Sequence, residues 1–270
     1  MKLNRKKKKK SKKKFAFKNI KIGKFIITPK AQKIAAGIIA LLLIFGVGRL
    51  IATINLAASM PRVTGDNISY EIRGVDVSAY QGNIDWETLA SQNISFAFIK
   101  ATEGSTYVDN KFSTNWTNAR NTDLRVGAYH FMSFETSGEK QAQNFIDTVE
   151  KHSDSLPPVI DIEYYGNYTE ATVTQDTLDS VLEPLEKQLR SHYGKKPIIY
   201  TTPAIYKKFI RGNYSNDIWI ADSTLSQLPG GDDWTFCQYS ISGTMQGYSG
   251  GVSSIDLDVW HGSAFGLAAY

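Results

Sequence analysis

The sequence predicts an α/β protein whose main domain is an irregular, TIM-like (β/α) barrel of eight strands with about five helices. Strand-like apolar runs recur eight times between residues 74 and 259, and helical patterns separate the first six of them. Alternation of strands with helices is typical of a parallel sheet, and eight strands in about 195 residues are enough to close a barrel. The last three strands have connections too short or too glycine-rich for helices, so we expect a barrel that lacks helices on that side.

The strand pattern begins after a linker and continues to the C-terminal region. The eight predicted strands are 74–77, 94–100, 125–131, 158–163, 197–201, 217–221, 235–239 and 254–259. The five predicted helices are 86–91, 111–121, 137–151, 173–192 and 203–209. Helix 137–151 opens with Ser137 and Glu139, and helix 173–192 stops at Gly194 before a proline, as helix termini prefer.

Four segments are predicted from composition: a basic tail (1–33), a transmembrane signal-anchor (34–58), a linker (59–72) and a catalytic barrel (73–270). Segment 34–58 is apolar apart from Arg49 and a few uncharged polar residues, and about 20 such residues span a bilayer as a helix. Because the positive charge precedes this segment, we expect a cytoplasmic N-terminus and an extracytoplasmic barrel in a single-pass membrane protein. A cleaved signal peptide, with a site near Ala57 and Ser59, would make the protein secreted. A soluble protein with a basic nuclear-type signal fits the apolar segment poorly.

The charge is divided unevenly along the chain. Residues 1–60 hold 16 of the 31 basic residues and no acidic residue, so the remainder carries 15 basic against 26 acidic side chains. The folded part should therefore repel phosphate, and no nucleic-acid partner is expected. The basic tail is most simply a solvated charge run. Cys237 is the single cysteine, which excludes an intrachain disulfide.

Acidic residues interrupt the apolar strands at one end of the predicted barrel. Asp161 and Glu163 lie two positions apart in strand 158–163, so both side chains point to the same side. Asp76 ends the first strand, and Asp256 lies in the eighth strand, beside the first in a closed barrel. Repulsion among these acids would raise the pKa of at least one of them, which suits hydrolysis of a glycosidic bond. The competing interpretation is that Asp161 and Glu163 are merely solvated.

Aromatic residues accompany these acids. Tyr80, Tyr129 and Tyr200 are expected near the same strand ends, where aromatic faces stack on sugar rings. His130 follows Tyr129 at a strand end and is expected to face the pocket. No two histidines have the spacing of a zinc site, so neither a metal nor another cofactor is predicted.

Several motifs, in order and spacing from about residue 74 to 261, resemble the glycoside hydrolase family 25 lysozymes, the Chalaropsis-type muramidases. They are Gly74-Val75-Asp76-Val77-Ser78, Tyr80-Gln81-Gly82, Lys100-Ala101-Thr102-Glu103-Gly104, Gly127-Ala128-Tyr129-His130-Phe131, Asp161-Ile162-Glu163, Gln238-Tyr239-Ser240 and Ile255-Asp256-Leu257-Asp258. The resemblance implies hydrolysis of the β-1,4 bond between N-acetylmuramic acid and N-acetylglucosamine, with peptidoglycan glycan strands as the partner.

The resemblance also implies roles for individual residues. Glu163 would be the general acid, Asp161 would orient the acetamido group of the substrate, and Asp76 and Asp256 would complete an acidic floor. Substrate binding is expected from Tyr80, Gln81, Lys100, Glu103, Tyr129, His130, Tyr200 and Gln238. The segment after Ala221 departs from the family pattern, because Asp222 and Ser223 stand where another aromatic residue is usual.

Two other functions remain open from the residues alone. One is a catalytically weak glycan-binding scaffold of a wall-spanning assembly, against which the retention of all four acids argues. The other is a different barrel hydrolase such as a chitinase, which also ends a strand with Asp-x-Glu but has different flanking motifs. A membrane-anchored muramidase would act in remodelling of the cell's own wall.

Overall fold

The computed structural model describes residues 20–22, 25–28, 70 and 72–270. The chain divides into two compact units, Met1–Ile51 and Ala52–Tyr270. In the first unit, strands β1 (Ile20–Ile22) and β2 (Phe25–Ile27) form an antiparallel pair. The predicted membrane segment 34–58 lies outside the described residues. Within the described ranges, no helix is long and apolar enough to span a bilayer.

The second unit contains a closed barrel of eight strands. Its strands are β3 (Arg73–Val77), β5 (Phe96–Glu103), β7 (Arg125–Phe131), β8 (Val159–Ile162), β9 (Ile198–Thr201), β10 (Ile218–Ala221), β11 (Phe236–Gly243) and β13 (Ile255–Trp260). The ring closes because β3 pairs with β5 on one side and with β13 on the other. The predicted eight-stranded barrel is therefore confirmed, with strand boundaries a few residues from those predicted.

The eighth strand runs against the direction that a fully parallel barrel would require. β13 pairs antiparallel with both β11 and β3, whereas the other barrel pairings are parallel. The reason is the connection from β11 to β13, which is a hairpin and contains no crossover helix. The hairpin contains the short strand β12 (Tyr248–Gly250), which pairs with β4 (Gly82–Ile84). Elsewhere in the barrel, the short strand β6 (Tyr107–Val108) pairs with β5.

Helices cover the side of the barrel formed by its earlier strands. They are α1 (Trp86–Ala90), α2 (Phe112–Arg120), α3 (Gly138–Thr148), α4 (Gln175–Tyr193), α5 (Pro203–Ile205), which continues as a π-helical turn (Tyr206–Ile210), and α6 (Ala264–Ala269). The sequence did not predict α6. Gly138 begins α3 where it packs on α4, since a Cβ at this position would collide with the carbonyl oxygen of Val181.

Alternation along each strand separates two apolar cores. Odd and even positions face either the barrel interior or the layer of helices. The interior core is built mainly from one or two residues of six of the eight strands: Phe96, Phe98, Val159, Ile198, Tyr200, Trp219, Ala221, Phe236 and Trp260. The outer core packs strand residues such as Ile160 and Ile162 against helix residues such as Leu182. Asp161 therefore faces the barrel interior, between two residues that face the helices.

Candidate active site

Four acidic residues converge at the carboxyl end of the barrel. In the pairing of β3 with β13, Asp76 lies directly opposite Asp256. Across the barrel, Asp161 lies in β8 and Glu163 immediately follows that strand. Burial is the main cause that raises the pKa values of Asp76, Asp161 and Asp256, and the Glu163 charge adds to each rise, so all four carboxyls interact electrostatically.

Burial dominates the titration of this cluster. Desolvation raises the pKa of Asp76 to about 7, while a hydrogen bond from Gln238 opposes that rise. Desolvation also raises the pKa of Asp161 well above its usual range, with Glu163 adding to the rise and Lys100 opposing it. Asp256 is shifted in the same direction by burial and by Asp76. Several of these groups therefore hold protons where exposed aspartates are ionised.

Hydrogen bonds tie the cluster to two neighbouring strands. The Tyr200 hydroxyl donates to Gln238 Oε1 at 2.8 Å, and Gln238 Nε2 donates to Asp76 Oδ2 at 2.7 Å. Tyr200 and Gln238 were both predicted as substrate-binding residues, and both are buried. In this structure their polar groups are used to orient Asp76.

Asp161 presents one carboxylate oxygen that no described residue hydrogen-bonds. Its side chain is 6% exposed, and Oδ1 is buried without a hydrogen-bond partner among the residues that the structure describes. A buried carboxylate oxygen without a donor is costly, so a donor supplied by a bound molecule would relieve that cost. The position of Asp161 beside Glu163 is therefore suited to holding an N–H or O–H group of a substrate.

Lys100 is a basic residue whose charge acts on Asp161 in this group of acids. Its Nζ lies 2.9 Å from Glu103 Oε2 and 5.1 Å from the centre of the Phe131 ring. Both partners of this ion pair are mostly buried, with side-chain exposures of 11% and 17%. Because Lys100 lowers the pKa of Asp161, it reduces the cost of ionising that acid.

Tyrosines border the acids at two levels. Tyr129 is half-buried, and its pKa is raised by burial and by the charges of Asp76, Asp161 and Asp256. Tyr80 lies higher, on the 3₁₀ turn after β3, and 63% of its surface is exposed. Asp109 supports this turn, because its Oδ2 accepts from the backbone N–H of Ala79 at 2.9 Å. Tyr80 is thus an exposed aromatic ring on a braced turn.

Two predicted substrate-binding residues are buried and use their polar atoms in hydrogen bonds within the protein. His130 faces the helix layer and is fully buried, with Nδ1 2.7 Å from Thr102 Oγ1 and Nε2 3.0 Å from Gln141 Oε1. The prediction that it faces the pocket is wrong, because its neighbour Tyr129 already takes the interior position. Gln81 is also buried, and its amide accepts from Ser78 N at 2.9 Å and donates to the Ser254 carbonyl at 3.3 Å. These two hydrogen bonds brace the loop that follows β3.

Asp258 is a buried acid that the predicted site omitted. It is fully buried in β13, and its Oδ1 accepts from Trp219 Nε1 at 2.8 Å. Alternation could have identified it, because Asp258 is two positions from Asp256 and so faces the same interior. No three His, Cys, Asp or Glu side chains in the described part of the chain are placed to hold a metal ion.

Comparisons with known proteins find related sequences and similar solved structures. The model of the family described as "Glycosyl hydrolases family 25" matches residues 75–248. A solved family 25 glycosyl hydrolase from Bacillus anthracis has a TM-score of 0.73 and 44% identity, covering 78% of this chain and 99% of that one. A bacterial lysozyme from Streptomyces coelicolor has a TM-score of 0.66 and 32% identity, covering 75% and 97%. Lysozyme M1 from Streptomyces globisporus is 34% identical and covers 83% of this chain and 79% of its own length.

Proposed function

This chain belongs to glycosyl hydrolase family 25, and we propose that it hydrolyses the β-1,4 bond between N-acetylmuramic acid and N-acetylglucosamine in peptidoglycan. The observation that carries this proposal is the convergence of Asp76, Asp161, Glu163 and Asp256 at one end of the barrel. Glycoside hydrolysis needs a protonated acid beside ionised carboxylates, and a buried acidic cluster provides both states at neutral pH.

In the proposed reaction, Glu163 is the general acid. It protonates the glycosidic oxygen while the bond from that oxygen to C1 of the muramic acid residue breaks. The 2-acetamido oxygen attacks C1 from the other side and forms a cyclic intermediate, which a water molecule then opens. Ionised Glu163 takes a proton from that water, so the carboxyl group returns to its starting state and configuration at C1 is retained.

Asp161 acts on the acetamido group in this proposal. Its buried Oδ1, which has no hydrogen-bond partner in the described part of the chain, is available to accept a hydrogen bond from the acetamido N–H. That bond would orient the acetamido oxygen toward C1 and stabilise the positive charge that develops on the group. Lys100, which opposes the rise in the pKa of Asp161, favours the ionised form that can accept the bond.

Asp76 and Asp256 form the acidic floor of the proposed site. Their charges increase the cost of further negative charge nearby, which favours the protonated form of a neighbouring acid. At the rim, Tyr80 and Tyr129 are assigned to stacking on sugar rings, and the Lys100–Glu103 pair to contacts with sugar hydroxyls. The exposure of Tyr80 supports its assignment.

We also propose that residues 34–58 anchor the enzyme in the cell membrane, with residues 1–33 cytoplasmic and the barrel outside. The support is the sequence: an apolar segment of sufficient length follows a run of lysines. Alkaline extraction of membranes tests the anchor. If residues 34–58 span the membrane, the full-length protein stays in the membrane pellet. Recovery of a shortened chain in the medium would instead indicate a cleaved signal peptide.

The reaction is tested by digesting purified peptidoglycan with the full-length protein and reducing the new glycan ends. Mass spectrometry of the products should find reduced N-acetylmuramic acid at those ends. Reduced N-acetylglucosamine would identify a glucosaminidase and contradict the proposal. Binding to peptidoglycan without new reducing ends would instead support the glycan-binding scaffold.

A further inference from the structure

Asp258 lies beside the proposed site without a role in the reaction described above. It is one of the residues with no exposed surface, and its neighbours across the sheet are Gly74 in β3 and Gln238 in β11. It is two residues from Asp256, which lies opposite Asp76. A carboxyl group at this depth is expensive unless a partner or a proton neutralises it.

The two oxygens of Asp258 have different surroundings. Oδ1 accepts the indole N–H of Trp219 at 2.8 Å. Oδ2 is buried, and no hydrogen-bond donor reaches it among the described residues. An ionised carboxylate would leave that oxygen unsatisfied, whereas a protonated Oδ2 becomes a donor that needs only an acceptor.

The available acceptor is Asp76. Asp258 lies opposite Gly74 in the pairing of β13 with β3, so Asp76 is two residues from its cross-strand neighbour and on the same face of the sheet. Burial is the main cause that raises the pKa of Asp258, and its interaction with Asp76 adds to that rise while lowering the pKa of Asp76. From the opposite side, Gln238 Nε2 donates to Asp76 Oδ2 at 2.7 Å. Asp76 thus receives one hydrogen bond from an amide, and a protonated Asp258 would supply a second.

We propose that Asp258 is a positioning residue, whose protonated carboxyl donates to Asp76 and fixes its carboxylate in the orientation that the active site requires. Trp219 holds Asp258 in place through Oδ1, as Tyr200 holds Gln238. The four supporting residues form two short chains of hydrogen bonds that both end on Asp76. One runs from Tyr200 through Gln238, and the other runs from Trp219 through Asp258.

The groups around Asp258 favour its neutral state. Asp76 faces it from β3 and Asp256 acts on it from its own strand, and both oppose a negative charge there. On β11, burial is the main cause of the raised pKa values of Cys237 and Tyr239, and a charge on Asp258 would add to both rises. Glu163 acts on Asp76 and Asp256 from the end of β8. Arg73, in β3, opposes the rise in the pKa of Tyr239, which packs in the outer core.

The kinetic test compares Asp258→Asn with Asp258→Leu in the full-length protein, and it rests on the proposed hydrolysis. An asparagine can accept from Trp219 and donate to Asp76, so kcat should stay within about 3-fold of the wild-type value. A leucine can do neither, and loss of a hydrogen bond to a charged group lowers kcat by about 10- to 100-fold. KM should change little in both variants. Equal losses in the two variants, or full activity of Asp258→Leu, would overturn the proposal.

An infrared measurement tests the proton without relying on catalysis. At pH 7 the wild-type spectrum should contain the carbonyl stretch of a protonated carboxylic acid that is absent from Asp258→Asn. Asp85→Asn is the matched control, because Asp85 is exposed with a lowered pKa and contributes no such band. An unchanged band in Asp258→Asn refutes the shared proton even if the enzyme is active. If the wild type produces no muramic acid ends, the proposed function fails while this measurement still decides the state of Asp258.

Discussion

The burial of Asp76 should make this acid destabilising at neutral pH, and Asp76→Asn removes that cost. Its pKa rises from 3.8 to about 7 in the folded protein. The contribution of Asp76 to stability is therefore fully present below pH 3.8, where this acid is protonated in both the folded and the unfolded protein. That contribution is lost as the pH rises through 7. At 1.36 kcal/mol per pKa unit, the full effect is on the order of 4 kcal/mol. We expect Asp76→Asn to be more stable than wild type by up to this amount at pH 7, and equally stable near pH 4.

Urea unfolding followed by tryptophan fluorescence, at pH 4 and pH 7, measures this difference in free energy of unfolding. The control is Asp85→Asn, at the N-cap of α1, where Asp85 Oδ1 accepts from Thr88 N at 3.2 Å. Because Thr88 lowers the pKa of Asp85, the control should be less stable than wild type at pH 7 and approach it as the pH falls through that lowered pKa. A stability change in Asp76→Asn that is the same at both pH values, or a loss at pH 7, would refute the reasoning.

Three further outcomes follow from contacts around the barrel. Tyr200→Phe removes the 2.8 Å hydrogen bond to Gln238 and should lower kcat by about 2- to 10-fold in a peptidoglycan turnover assay. Unchanged kcat would contradict the role of Gln238 in orienting Asp76. Gly138→Ala should lower the free energy of unfolding by about 1–3 kcal/mol in urea titrations, because the new methyl group meets the Val181 carbonyl. Cys237 is buried, its Sγ lies 3.2 Å from the Asp222 carbonyl oxygen, and burial raises the pKa of its thiol. An aromatic disulfide reagent should therefore label Cys237 only after unfolding. Rapid labelling of the native protein would show that the strand opens.

The barrel was predictable because its signals are local. Short apolar runs mark the strands, and alternation predicted that Asp161 shares its side with Glu163. The direction of β13 was not predictable in the same way. A hairpin of glycine-rich sequence, from Gly243 to Gly251, replaces the crossover helix there, and its pairing with β4 is a long-range contact that no local pattern encodes.

The site was predictable in its acids but less so in its supporting residues. His130 was placed in the pocket from its position at a strand end, although Tyr129 beside it has the opposite parity and already faces the interior. A register shift in the pairing of β5 with β7, between Lys100 and Thr102, sets which residues oppose each other there. Such a shift depends on how two strands pack, so the contact of Thr102 with His130 could not be read from either strand alone.

The central claim, that Glu163 donates the proton that cleaves the glycosidic bond, is tested most directly by the rate at which Glu163→Gln releases muramic acid reducing ends. Glutamine keeps the shape of the side chain and cannot transfer a proton, so the rate should fall by at least about 100-fold. Glu139→Gln, the same change at an exposed position in the first turn of α3, should leave the rate unchanged. Near-normal release by Glu163→Gln would contradict the assignment of the general acid.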